Sequence, residues 1–176
     1  MGRLLGGTGG RRSAPSSPRP SAPPGRPASD GGSPPPDGQR RYPGDFRGIP
    51  AVAYAPKPDG QPDPGEIVRT WVPFEEDNSV GKDRPVLLVG SDGDWLLAVM
   101  LTSKDHDHDA DDEARWGRFW MDVGTGDWDP QGRESEIRLD RVLTLDDSGV
   151  RREGAALDRV VFDRVVEAMR EHWPDA

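Results

Sequence analysis

Arg84 stands directly before Pro85 at the head of an aliphatic run, Val86-Leu87-Leu88-Val89. A residue before proline is driven to extended backbone, which sets the direction in which its side chain leaves the strand. A guanidinium held there can grip a phosphate through two donors; the competing reading is a surface arginine paired with Glu75, Glu76 or Asp83. A second aliphatic run, Leu96-Leu97-Ala98-Val99-Met100-Leu101, closes in Thr102-Ser103-Lys104, so polar groups sit where a buried strand meets a loop. Taken alone, a strand-end threonine is usually just a well-placed β residue. Arg138 and Asp140 alternate on one segment and project from the same face, a spacing that ordinarily makes a structural ion pair. His106 and His108 lie among Asp105, Asp107, Asp109, Asp111 and Asp112. Carboxylates with imidazole could hold a divalent metal, but a solvated acidic loop is the simpler reading and no metal is expected. His106, four residues after Thr102, is an outside candidate for proton exchange, because an imidazole titrates near pH ~6.5.

These groups need a folded domain to hold them, and composition places it. Of the 19 prolines, 15 lie in residues 1–64, with 12 of the 22 glycines, whereas all six tryptophans follow residue 70. A segment so poor in large apolar side chains cannot offset its chain entropy by burial. Residues 1–41 therefore read as a disordered Pro/Gly/Ser/Arg-rich extension, either made from an upstream start that the cell does not use or serving as a weakly basic arm for an anionic partner. Residues 42–64, which add Phe46, Ile49, Val52 and Tyr54, read as an extended lead-in lying against the domain. Residues 65–176 read as the domain itself, large enough for an independent core.

Other classes fall away. There is no cysteine, which excludes a disulfide framework and a thiolate metal site. No apolar run approaches the ~18 residues of a membrane span, and Arg11-Arg12 lacks the hydrophobic stretch of an export signal, so a cytoplasmic protein without membrane contact is expected. Residues 1–64 carry nine basic and five acidic side chains, and the remainder 14 basic and 27 acidic, a balance of −13 for the domain. General electrostatic binding of nucleic acid needs a cationic surface. If the domain binds an anionic partner, its cations must be local.

The elements that would position the candidates follow from periodicity. Residues 66–74 alternate as a strand closed by Pro73. Asp92-Gly93 between two apolar runs predicts a hairpin, with both runs central in a sheet because they are apolar on both faces. A fourth strand is predicted over 116–126 and a fifth over 135–145. Phe162, Val165, Val166, Met169 and Trp173 recur at helical spacing, predicting a helix over about 159–172 capped by Asp158. About five strands and one helix predict a mainly β (α+β) fold, a small antiparallel barrel with the amphipathic helix packed on it.

Gly65-Glu66-Ile67-Val68, Arg84-Pro85 before an aliphatic strand, the ending Leu101-Thr102-Ser103-Lys104, and Arg138-Leu139-Asp140-Arg141-Val142-Leu143-Thr144-Leu145-Asp146 before a terminal helix together resemble the PemK/MazF toxin family. Their order and spacing extend the resemblance over roughly residues 65–173. It implies an SH3-like barrel and a sequence-selective endoribonuclease toxin that needs neither metal nor cofactor. In that reaction the 2'-OH of single-stranded RNA attacks the adjacent phosphate, leaving a 2',3'-cyclic phosphate and a 5'-OH. The resemblance maps the family's catalytic arginine onto Arg84 and its strand-ending threonine onto Thr102. The Arg-x-Asp that some relatives use for acid–base work maps onto Arg138 and Asp140. Lys82, Ser103, Lys104 and His106 are then the expected RNA-binding neighbours. The loop from Glu76 to Asp83 departs from the family pattern, and the glutamate or histidine found there in relatives has no clean counterpart. A cognate antitoxin and a homodimer with a shared groove are further implications. The rival readings are a non-catalytic toxin-fold module that binds a protein partner or DNA, and a decayed toxin without activity.

Overall fold

In the computed structural model, residues 31–104 and 110–173 are described, and all of the architecture below belongs to the unit that begins at Gly32. The chain runs β1 (Glu66–Pro73), β2 (Gly81–Asp92), β3 (Trp95–Thr102), α1 (Ala110–Arg115), β4 (Trp120–Gly124), β5 (Ser135–Arg138), β6 (Leu143–Leu145), β7 (Val150–Ala156) and α2 (Arg159–Arg170). The sheet order is β4-β5-β3-β2-β1-β7, with β6 also on β3, and every pairing is antiparallel. The mainly β fold with a C-terminal helix is as the sequence predicts.

The β2–β3 hairpin turns through Gly93 and Asp94, with Asp92 opposite Trp95. Gly93 takes a φ of +56°, a conformation that side chains with a Cβ resist. The aliphatic runs are apolar on both faces because both faces are covered. Leu87, Val89, Leu97 and Val99 meet α2 in one core cluster with Phe162, Val165, Val166 and Met169. Val86, Leu88 and Ala98 meet Val68, Leu143 and Leu145 in a second. Helix α2 starts where expected, the Asp158 carboxylate accepting from Val160 N–H at 2.8 Å.

Several expectations are corrected. The barrel does not close: among the described residues β4 pairs only with β5 and β7 only with β1, so the strand path ends at two open edges. The fourth strand is shorter than predicted, since Trp116 and Gly117 form the turn after α1 and the strand begins at Trp120. The single fifth strand is two. Both halves lie along β3, with Ile137 opposite Leu101 and Leu143 opposite Ala98, and Leu139–Val142 bend out between them. β7 was not foreseen, because Arg151, Arg152, Glu153 and Gly154 offer no apolar alternation.

The lead-in lies along the domain, and the attachment reaches further back than Tyr42. Ser33 and Gly81 exchange two backbone hydrogen bonds at 2.8 and 2.9 Å. Phe46 N–H donates to Val142 O at 2.8 Å and Ala53 N–H to Val89 O at 2.9 Å. Tyr54 sends its hydroxyl to Leu157 O at 2.8 Å and sets its ring edge-on to Phe162. The approach is close enough that a Cβ at Gly90 would stand 2.2 Å from Ala51 O. Arg40, read from composition as part of the extension, bonds Asp146 at 2.9 Å, and Asp45 of the lead-in bonds the buried Arg141 at 3.0 Å.

Candidate functional site

β2 is longer than its aliphatic run, and the extra length matters. Lys82-Asp83-Arg84-Pro85 lies on the strand, with Arg84 opposite Thr70 of β1. Pro85 has no N–H to donate, and the β2–β3 ladder begins one residue later at Val86 opposite Met100. Continuing that register by two residues brings Arg84 level with Thr102. The strands are unzipped there, and a cleft of about 290 Å³ opens between them.

Arg84, Lys82, Thr102 and Ser103 all line this cleft. So do four groups from beyond β4: Trp128, Asp129, Arg133 and Ser135. Arg69 and Asp83 complete its polar wall. Four cations and two carboxylates make a local excess of positive charge on a domain whose overall balance is strongly negative. The carboxylates are engaged: Asp83 pairs with Arg69 at 3.2 Å and with Arg151, and Asp129 with Arg133 at 2.7 Å. The Arg133 hydrogen bond, with Gln131 N–H, holds Asp129 below the usual carboxylate range. Thr102 Oγ1 accepts the Lys104 N–H at 3.1 Å, which orients the hydroxyl and leaves its proton for donation.

Arg138 and Asp140 are placed differently. Neither is among the residues that line the cleft. Arg138 is 5% exposed and donates to Asp140 at 2.7 Å and to Glu75 at 2.9 Å. Asp140 also accepts Phe119 N–H at 2.9 Å. Burial opposes charge on Arg138, yet the two carboxylates outweigh it and raise its pKa, while the Arg138 hydrogen bond lowers that of Glu75. Arg118 adds looser contacts to Glu75, Glu76 and Glu113. This cluster ties the β1–β2 loop to β5.

Lys104 contributes its backbone N–H to the turn after β3, and its side chain is not among the cleft-lining groups. His106 and His108 lie outside the described residues. Sequence reasoning missed Trp128 and Arg133, whose only signal was a tryptophan in an otherwise polar, turn-rich loop.

The molecule is thus a small antiparallel sheet with a C-terminal helix, carrying a cationic cleft where two central strands part. The family model of the PemK-like, MazF-like toxin of type II toxin-antitoxin systems matches residues 63–173. The chain belongs to this family, whose members are generally endoribonuclease toxins. No curated protein matches it. No helix among the described residues is long and apolar enough to cross a membrane.

Proposed function

We propose that this protein is a sequence-selective endoribonuclease toxin that cleaves single-stranded RNA through the substrate's own 2'-OH, and that the Arg84–Thr102 cleft is its active site. The observation that carries the reading is the meeting of Arg84 and Thr102, from two strands, on the wall of one locally cationic cleft. Attack by the 2'-OH on the adjacent phosphate builds negative charge on the phosphorane oxygens, and preorganised donors aimed there lower the barrier. Arg84 supplies a two-pronged cation, and Thr102 supplies a hydroxyl proton whose direction is set by the Lys104 N–H behind it. Lys82 and Ser103 extend the same wall to the neighbouring backbone. Arg138, closed on both Asp140 and Glu75, serves this reading by holding the β1–β2 loop. A cognate antitoxin that blocks the cleft and a homodimer belong to the same proposal.

The test is full-length protein with a long single-stranded RNA in EDTA, with the new ends mapped. Discrete cuts with 5'-OH and 2',3'-cyclic phosphate ends, lost in Arg84→Ala, are expected. A folded protein that leaves the RNA intact with and without added divalent metal would overturn the reading and turn attention to a bound protein partner.

A further inference from the structure

The cleft has an aromatic wall that the phosphate chemistry leaves unused. Trp128, in the β4–β5 loop, is half-buried and lines the cleft together with Arg84 and Thr102. Its indole N–H donates to Ser135 Oγ at 3.1 Å, tying the ring to β5. The ring also lies so close to residue 126 that a Cβ there would come within 2.1 Å of it, so Gly126 is what lets the ring occupy this position. The loop around it is closed by its own bonds. Asp129 N–H reaches Gly126 O at 3.1 Å, Gly132 N–H reaches Asp129 O at 2.8 Å, and Arg133 Nε reaches Asp129 Oδ2 at 2.7 Å. The indole is therefore held in one orientation before any ligand arrives.

We propose that Trp128 is a stacking platform for one base of the RNA strand, seated beside the phosphate that Arg84 grips, with Ser135 and Gly126 as its positioning residues. The proposal rests on the endoribonuclease reading and adds how the strand is selected and put in register. A cationic groove paired with a fixed aromatic face is the arrangement that holds single-stranded nucleic acid, because cations track the backbone while every base offers a π-face to stack. A duplex keeps those faces covered by neighbouring bases, so a platform in the cleft discriminates against it. Preorganisation matters here, since a ring that is already ordered loses no rotamer freedom on binding.

Trp128 also packs against the hydrophobic core, so loss of affinity on substitution is not by itself evidence of stacking. The experiment uses the full chain and an oligonucleotide spanning a mapped cut site, with the nucleophilic 2'-OH methylated so that binding is read without cleavage. Trp128→Leu is expected to weaken binding roughly 5- to 150-fold and, with the unmethylated oligonucleotide, to raise KM while kcat at saturating RNA changes little; Trp128→Phe is expected to retain most of the affinity. A series of oligonucleotides lacking one base each should contain one position where the base's removal weakens wild-type binding by that factor and leaves Trp128→Leu unaffected. Gly126→Ala, which displaces the ring while leaving tryptophan in place, should reproduce the loss. Should Trp128→Leu misfold, Trp128→Phe and Gly126→Ala carry the same comparison. Cutting by the wild type with no such position, or unchanged binding by Trp128→Leu and Gly126→Ala, would overturn the platform and leave the nuclease standing. A wild type that neither cuts nor binds would overturn both.

Discussion

Arg84 and Arg138 are both strand arginines with acidic neighbours, yet the fold sets them in different surroundings. Arg138 is almost wholly buried, with its fork filled by Asp140 and Glu75. Arg84 is half-buried on the wall of a cleft that also holds Thr102. A guanidinium closed on internal carboxylates ties elements together, whereas one that lines an opening can meet an anion from outside. Residue type and strand position do not separate the two cases. The surroundings of each one do: a cleft wall for Arg84 and internal carboxylates for Arg138.

That contrast can be broken by experiment. The largest effect is expected at Arg84: alanine should lower the cleavage rate by at least ~10²- to 10³-fold, as loss of a transition-state donor does, with unfolding free energy within about 1 kcal/mol of wild type. Arg84→Lys keeps the charge without the fork and should recover only part of the rate. Equal loss of fold and activity would make Arg84 a structural residue like Arg138.

Arg138→Met should do the reverse. Removing one member of a buried ion cluster leaves carboxylates without their partner, a loss of several kcal/mol when burial is complete. Glu75 is 43% exposed, so solvent screens part of it, and about 2–3 kcal/mol is expected by denaturant titration. Cleavage per folded molecule should change only a few-fold. A variant that unfolds normally but does not cut would return Arg138 to the catalytic machinery.

Thr102→Val removes the oriented hydroxyl and keeps the β-branched shape. About a tenfold loss of rate, or ~1.4 kcal/mol of barrier, is expected in single-turnover assays, with Thr102→Ser close to wild type. No change in Thr102→Val would leave the threonine as a strand residue only.

The smallest effect is acid sensitivity away from the cleft. Burial pushes the Asp146 carboxyl up, but the Arg40 N–H, the Ser148 hydroxyl and the Arg40 guanidinium outweigh it and bring it down to about 2. A carboxyl lowered on folding contributes stability that is complete above its unfolded value and is lost as pH falls through the folded one. Thermal stability should therefore fall between pH ~4 and ~2, and Asp146→Asn should flatten part of that slope. A slope unchanged by Asp146→Asn would mean that Arg40 does not fasten the segment before Tyr42 to the domain through this pair.

Much of the fold is legible along the chain because its signals are local. Gly93-Asp94 between the two aliphatic runs forms the hairpin turn, with the positive φ at Gly93, and the Phe162–Met169 stripe encodes a helix through its period. β7 is hidden because its residues are polar and its place comes from pairing with β1, which no local pattern records. The break at Leu139–Val142 is hidden for a related reason: β3 offers one edge to two short partners, and the chain between them must bulge. The lead-in is half legible. Tyr54 and Phe46 are visible anchors, whereas Ser33 and Arg40 look like tail until Gly81 and Asp146 are placed beside them.

At the site, the pre-proline arginine and the strand-end threonine could be picked out from residue type, neighbours and resemblance, because proline geometry and strand length act over a few residues. Their meeting follows from the hairpin register, which is also short-range. Tertiary structure alone decided that Arg138, 63 residues from Glu75 in the chain, would be closed upon it, and that Trp128 and Arg133 would complete the wall beside Arg84. Covalent neighbours and period set what each segment becomes. Which side chain ends on a cleft wall and which inside an ion cluster depends on what surrounds it, and that is settled only when distant segments are brought together.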